Sequence, residues 1–121
     1  MMQDFIKDVI PSQMKNMRID LDEFIELYNN KECEIVDIRV EMETKVWQLN
    51  FGLKIPAPEL PQRLNELPKD KLIVLACPKS DRSNMTRTWL SAQGFNAKYL
   101  SCGLIGLMDY LKGGKAKEIK I

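Results

Sequence analysis

A cysteine at position 77 stands directly after an unbroken apolar run, Leu72-Ile73-Val74-Leu75-Ala76. Directly after it comes a short polar loop, Pro78-Lys79-Ser80-Asp81-Arg82-Ser83. The apolar run has strand length and the continuous apolarity of a parallel strand covered on both faces. From Ser83 onward Met85, Trp89 and Ala92 recur at helical spacing, and Gly94 supplies a stop. Cys77 therefore falls where a strand ends and a helix is about to begin. The first amides of a helix lack intrahelical partners and stabilise an anion in front of them. A cysteine in that position has its thiolate favoured, and the thiolate is the nucleophile. Lys79 and Arg82 add positive charge within the same few residues. Cys77 is the candidate nucleophile, and Pro78, Lys79, Ser80, Asp81, Arg82 and Ser83 are the candidate binding surface around it. A cysteine after an apolar strand also occurs as a small buried hydrophobe. The attached basic loop and helix start favour the reactive reading.

The rest of the composition narrows the chemistry. The chain has no histidine, which removes Ser-His and Cys-His nucleophile pairs, histidine metal sites and histidine acid–base catalysis. A nucleophile here must be activated by amides and positive charge. The three cysteines, Cys33, Cys77 and Cys102, are an odd number without a C-x-x-C pair, which argues against a disulfide framework and a structural zinc site. No histidine metal site and no structural zinc site is expected. A reducing cytoplasm is the expected compartment. Positions 1–17 carry Asp4, Lys7, Asp8 and Pro11 without an unbroken apolar core, unlike a signal peptide, and no apolar stretch is long enough to span a bilayer. The net charge of +1, with both signs interspersed, argues for neither nucleic acid nor a membrane as main partner.

These residues need a scaffold, and 121 residues are enough for one domain. Phe5, Ile6, Val9 and Ile10 could share a helical face that Pro11-Ser12 breaks. A helix is expected over 19–29, with Asp20 as N-cap, Glu23 completing a capping-box pattern, and Leu21, Phe24, Ile25 and Tyr28 facing inward. Cys33 to Arg39 reads as a strand, interrupted only by Asp37, with Arg39 close enough to partner the carboxylate. A helix over 42–49, a short strand over 53–56, a small helix over 61–67, a strand over 95–100 and a helix over 105–111 follow. Trp47 and Phe51 are expected in the core. Strands separated by helical patterns predict an α/β fold with a largely parallel sheet. The divisions expected are an N-terminal extension over 1–18, a domain over 19–112 and a polar C-terminal tail over 113–121. Cys102 follows a strand at the edge where open α/β sheets bind ligands. Cys33 starts its strand at the opposite edge and reads as structural.

Between Cys77 and Arg82 lie four residues, and Ser83 follows. This Cys-x4-Arg-Ser loop resembles the active-site loop of rhodanese-type sulfurtransferases. Cysteine phosphatases and arsenate reductases carry one more residue before the arginine, leaving room for a phosphate-sized oxyanion. Ser80 stands where the family usually has glycine. Asp37-Ile38-Arg39 resembles the family's Asp-x-Arg, which is read as organising the active-site face, so Asp37 and Arg39 are carried over as supporting residues; an ordinary ion pair is the alternative. Ile55-Pro56 to Leu60 resembles its Ile-Pro-x-x-Glu-Leu stretch, and Cys102-Gly103 stands in place of a Gly-Gly pair; in that reading Cys102 could resolve a persulfide or accept sulfur, the alternative being a small residue tolerated where glycine is usual. Residues 42–52 depart from the pattern, with Trp47 to Gly52 where a Gly-His-Ile-Pro-Gly-Ala stretch is common.

The resemblance implies a rhodanese-like α/β fold of about five strands flanked by helices on both faces. It implies a single-domain sulfurtransferase that moves sulfane sulfur from thiosulfate or a persulfide, through a Cys77 persulfide, to a thiophilic acceptor. The partners implied are a small anionic sulfur donor, favoured by Lys79 and Arg82, and a thiol or sulfur-carrier protein as acceptor. Two other readings stay open: a non-catalytic rhodanese-type interaction or sulfur-carrier module, and a cysteine phosphatase or arsenate reductase.

Overall fold

The computed structural model describes residues 2–121; Met1 of the expected N-terminal extension lies outside them. Five parallel strands form one sheet in the order β1-β5-β4-β2-β3. They are β1 (Arg18–Ile19), β2 (Cys33–Asp37), β3 (Leu53–Lys54), β4 (Leu72–Ala76) and β5 (Ala97–Leu100). The helices are α1 (Met2–Phe5), α2 (Pro11–Met14), α3 (Leu21–Asn29), α4 (Glu41–Val46), α5 (Asp81–Ala92) and α6 (Gly103–Leu111), with 3-10 turns between them. The α/β architecture expected from the sequence, a largely parallel sheet of about five strands flanked by helices, is the architecture observed.

The strand period of two explains how β4 is used. Val74 and Ala76 face one apolar cluster, built with Phe24 and Ile25 of α3 and with Leu104, Leu107 and Leu111 of α6. Ile73, Leu75 and, continuing the alternation, Cys77 face the other, built with Leu60, Leu67 and Leu90 of α5. Both faces are covered, which is why β4 reads as an uninterrupted apolar run. All strands being parallel, their C-terminal ends share one edge of the sheet; Asp37 pairs in register with Ala76 there. Cys77, the residue after β4, is thereby set at that edge.

Several local expectations need correction. Asp20 does cap α3, accepting from the Glu23 amide at 2.8 Å, but the helix starts at Leu21 because Ile19 is spent on the edge strand β1, paired with Leu100. Helix α5 starts at Asp81 rather than Ser83, and Met85 is exposed, not inward. The helix expected over 42–49 covers only Glu41–Val46, and that over 61–67 is a pair of 3-10 turns, 57–62 and 64–66. Pro11 begins a helical turn, and Ile6, Val9 and Ile10 lie exposed instead of forming a buried face. The polar tail is ordered: Gly114–Glu118 makes a 3-10 turn, Ile119 packs on the first cluster, and the Asn29 side chain bonds the Glu118 carbonyl and the Lys120 amide.

The loop after β4 is fastened from behind by the start of α6. The Leu104 amide donates to the Cys77 carbonyl at 2.8 Å and the Ile105 amide to the Pro78 carbonyl at 3.2 Å. Gly103 sits between them with φ +69°, where an added Cβ would collide with the Pro78 and Lys79 carbonyl oxygens. Only glycine meets both demands. Gly103→Ala should therefore lower unfolding stability by roughly 2–4 kcal/mol. Gly113→Ala, where an added Cβ meets nothing within 4 Å, should stay within about 0.5 kcal/mol of the parent. Urea denaturation of the two variants checks the contrast, and equal losses would contradict the fastening.

Candidate active site

Trans peptide geometry turns the fastening into chemistry. Within each planar trans peptide the N–H points opposite the preceding C=O, and the described residues contain no cis bond. Because the Pro78 and Lys79 carbonyls face the start of α6, the Lys79 and Ser80 amides turn away from it, towards the open side of the loop. The Ser80 carbonyl accepts the first bond of α5, from the Asn84 amide at 2.9 Å. The amides ahead of Asn84 are left without intrahelical partners. One of them reaches the sulfur: the Ser83 amide donates to Cys77 Sγ at 3.3 Å.

The Ser83 hydroxyl is 3.4 Å from the same sulfur and 3.2 Å from the Ser80 carbonyl. Its single hydrogen can serve only one acceptor at a time. With a protonated thiol, S–H donates to Ser83 Oγ and the hydroxyl donates to Ser80. With an anionic sulfur the hydroxyl can rotate to donate to Sγ. Ser83 is fully buried, so this exchange takes place away from water. Asp81 Oδ1, on an exposed residue, is 3.8 Å from Sγ. Cys77 itself has no exposed surface.

Of the remaining loop residues, Lys79 is exposed while Pro78 and Ser80 are half-buried. Arg82 is paired with Glu43. Its Nη1 and Nη2 each donate at 2.8 Å to the two carboxylate oxygens of Glu43. The Arg82 guanidinium holds the Glu43 carboxyl well below its usual range, at about 2, and the carboxylate in turn raises the arginine. Sequence reasoning missed Glu43. An arginine on a loop rim implies a carboxylate partner, but Glu41 and Glu43 were equally placed to supply it.

Asp37 and Arg39 form a buried pair. Arg39 Nη2 lies 2.8 Å from Asp37 Oδ2, and Nε lies 3.0 Å from Oδ1. Arg39 also donates to the Trp47 carbonyl at 3.1 Å and stacks 4.2 Å over the Trp47 ring. Trp47 ends α4, the helix that carries Glu43. The pair thus reaches the loop through α4 and Glu43 rather than by direct contact.

All three cysteines are free. Cys102 packs on the α3–α6 cluster while Cys77 belongs to the α5 cluster, and Cys102 directly precedes Gly103, which abuts the Pro78 and Lys79 backbone. The Cys102 thiol is pushed up, chiefly by burial. Cys33 is buried at the far end of β2, and burial followed by Glu34 pushes its thiol up to about 12, which keeps it protonated and inert. Among the described residues no group of three or more His, Cys, Asp and Glu could hold a metal ion, and no helix is long and apolar enough to cross a membrane. The largest cleft, about 600 Å³ and lined by Leu27, Lys31, Lys71 and Lys98 among others, lies where β2 and β4 begin, at the opposite edge from Cys77. The chemistry-bearing residues, not the cavity size, mark the site.

Comparison with known proteins gives a consistent result. The family model of the rhodanese-like domain matches residues 20–108. A curated relative from Allochromatium vinosum, named a sulfurtransferase, is 30% identical over 69 residues, covering 57% of this chain and 64% of that one. The match thus takes in less than two thirds of that relative's length. A crystal structure of a rhodanese-like domain protein from Staphylococcus aureus aligns with a TM-score of 0.67 at 27% identity, covering 74% of this chain and 89% of that one. A protein from Lactobacillus plantarum shares the fold with a TM-score of 0.71 at 20% identity, over 93% of this chain and 96% of that one.

Two outcomes are expected from the ion pairs. Asp37→Ala strands Arg39 in the interior and should cost roughly 3–5 kcal/mol of unfolding stability, read by urea denaturation; a loss under 1 kcal/mol would contradict a structural role for the pair. Glu43 has its carboxyl lowered from 4.5 to about 2, so its bridge stabilises the fold above the unfolded value and is lost as pH falls. The stability advantage of the parent over Glu43→Gln should therefore be constant above about pH 5 and shrink between 4.5 and 2. A difference that ignores pH across that window would contradict the bridge.

Proposed function

The chain belongs to the family of rhodanese-like domains, and on that premise we propose that it is a sulfurtransferase working through a persulfide on Cys77. The observation that supports this most is the Ser83 amide on Cys77 Sγ at 3.3 Å, at the start of a twelve-residue helix, with the Lys79 and Ser80 amides turned to the same open side. The Cys77 thiolate attacks the outer sulfur of a donor, thiosulfate or a persulfide. A new S–S bond forms on Cys77, the donor's own S–S bond breaks, and the electron pair leaves with the remnant, sulfite or a thiolate. A thiophilic acceptor then attacks the outer sulfur and releases Cys77 as thiolate. No net oxidation occurs, so no redox cofactor is required.

Donors do different work in the two states. In the resting enzyme the Ser83 amide donates to Sγ itself. In the loaded enzyme the charge moves one atom outward, where the amides of Lys79 to Arg82 can receive it, as an oxyanion hole receives an alkoxide. Four residues between cysteine and arginine make a cup for one sulfur rather than for a phosphoryl group. Asp81, the exposed side chain beside an otherwise covered sulfur, is the cover that must swing aside before a donor enters.

One observation favours a second reading, a rhodanese-type interaction module without turnover: Cys77 has no exposed surface. Intact-mass measurement after treatment with thiosulfate, and separately with a small alkyl hydropersulfide, distinguishes them. The expected result is the added mass of one sulfur atom on the parent and on Cys102→Ser, and none on Cys77→Ser. An unmodified parent with both donors, or an adduct that survives Cys77→Ser, would overturn the assignment.

A further inference from the structure

Arg82 is the cation best placed to hold an anionic donor, and its guanidinium is already occupied. Both terminal nitrogens are taken by Glu43, each at 2.8 Å, in the fork-on-fork arrangement that an oxyanion would otherwise adopt. Glu43 is held in place from its own helix as well. Its Oε1 accepts from the Val40 amide at 3.3 Å, and the far end of α4 is held where Arg39 grips the Trp47 carbonyl and ring. On this loop and its neighbour the cations Lys79 and Arg82 are matched in number by the carboxylates Asp81 and Glu43, of which Glu43 is bonded to Arg82 and Asp81 lies 3.8 Å from Sγ. A multiply charged anion gains little field from charges so matched, and reaching Arg82 means displacing a carboxylate already bonded to it.

We propose that Glu43 is a specificity-determining positioning residue: by occupying Arg82 it turns the site away from the thiosulfate dianion and towards alkyl hydropersulfides without net charge. The inference rests on the sulfurtransferase reading and names the donor class of that same site. The transfer balances: Cys77–S⁻ attacks the outer sulfur of R–S–SH, the Cys77–S bond forms, and the R–S bond to that sulfur breaks with its electron pair leaving as R–S⁻. The proton on the transferred sulfur passes to the departing R–S⁻, so the products are the Cys77 persulfide anion, received by the loop amides, and the free thiol R–SH.

The test is the ratio of kcat/KM for thiosulfate to that for cysteamine hydropersulfide, in the parent, in Glu43→Gln, and in Glu43→Gln with Arg82→Gln added. Glutamine keeps the size of Glu43 and removes its charge, which frees Arg82 for a second anion. The parent should prefer the hydropersulfide. In Glu43→Gln the ratio should rise about fivefold or more towards thiosulfate at low ionic strength, mainly through a lower KM, with the gain shrinking as salt is added. Adding Arg82→Gln should erase that gain. A ratio that stays put in Glu43→Gln, or a gain that survives removal of Arg82, would overturn the inference while leaving the sulfurtransferase reading intact. A purely structural role for Glu43 would lower both donors alike and leave the ratio unmoved. If Glu43→Gln shows no cooperative thermal transition, Glu43→Asp is measured instead; its shorter reach should move the ratio in the same direction, and an unchanged ratio there also overturns the inference. A parent that Cys77 loading shows to react with neither donor overturns both.

Discussion

Two hydrogen bonds from the start of α6, to the carbonyls of Cys77 and Pro78, fix the direction of everything in the reactive loop. With the Pro78 carbonyl committed, peptide planarity turns the Lys79 amide the other way. Gly103 makes the approach possible, since a Cβ there would collide with the Pro78 and Lys79 carbonyls. The basic side chains first draw the eye in this loop, but the backbone does the orienting. A cup made of amides is rigid, carries no formal charge and needs no reorganisation when a sulfur anion forms inside it. Such a cup suits a chain without a single histidine, in which no imidazole is at hand to activate the nucleophile.

A second chain of contacts reaches the loop from the opposite side. Asp37 ends β2 one strand away from the residue before Cys77 and holds Arg39. Arg39 grips Trp47, Trp47 closes α4, and α4 delivers Glu43 to Arg82. The buried pair at its origin is worth little as net stabilisation but costs much to break. Its effect is to set the angle of a short helix that packing alone would hold weakly: α4 buries none of its residues. Loop and rim are therefore placed by polar contacts, whereas the sheet beneath them is placed by two apolar clusters.

How much of this was legible in the sequence follows from that division. Strand β4 and its place under two covering layers could be read from five consecutive apolar residues, and the α3 cap from Asp20 and Glu23. These signals are local and hydrophobic or stereochemical. Helix α5 was read correctly as beginning beside the cysteine, yet its apolar face was misjudged: Met85 is exposed while Ser83 is fully buried, because the inward side of the first turn serves the sulfur instead of the core. Strand β1, two residues long, is too short to show a period. The anchoring of the tail depends on one apolar residue, Ile119, and on Asn29, eighty-nine positions away from Glu118, so no local signal shows it. Glu43 escapes notice, and Gly103 shows only as half of a Gly-Gly position, for the same reason: their partners are distant in sequence and their roles exist only in three dimensions. Cys102 sits at the sheet edge foreseen for it, but on the other face from Cys77, a distinction that strand alternation carries only once register is known.

The central claim is that backbone amides of the loop hold the charge of the transferred sulfur. Amide proton and nitrogen chemical shifts of the uniformly labelled protein, recorded before and after sulfur loading, test it most directly. The expected result is a downfield shift of the Lys79 to Arg82 amide protons on loading, with Leu104 and Ile105 unmoved because their bonds to the loop persist. A loaded protein whose loop amides keep their positions, or whose Leu104 and Ile105 signals move instead, would contradict it.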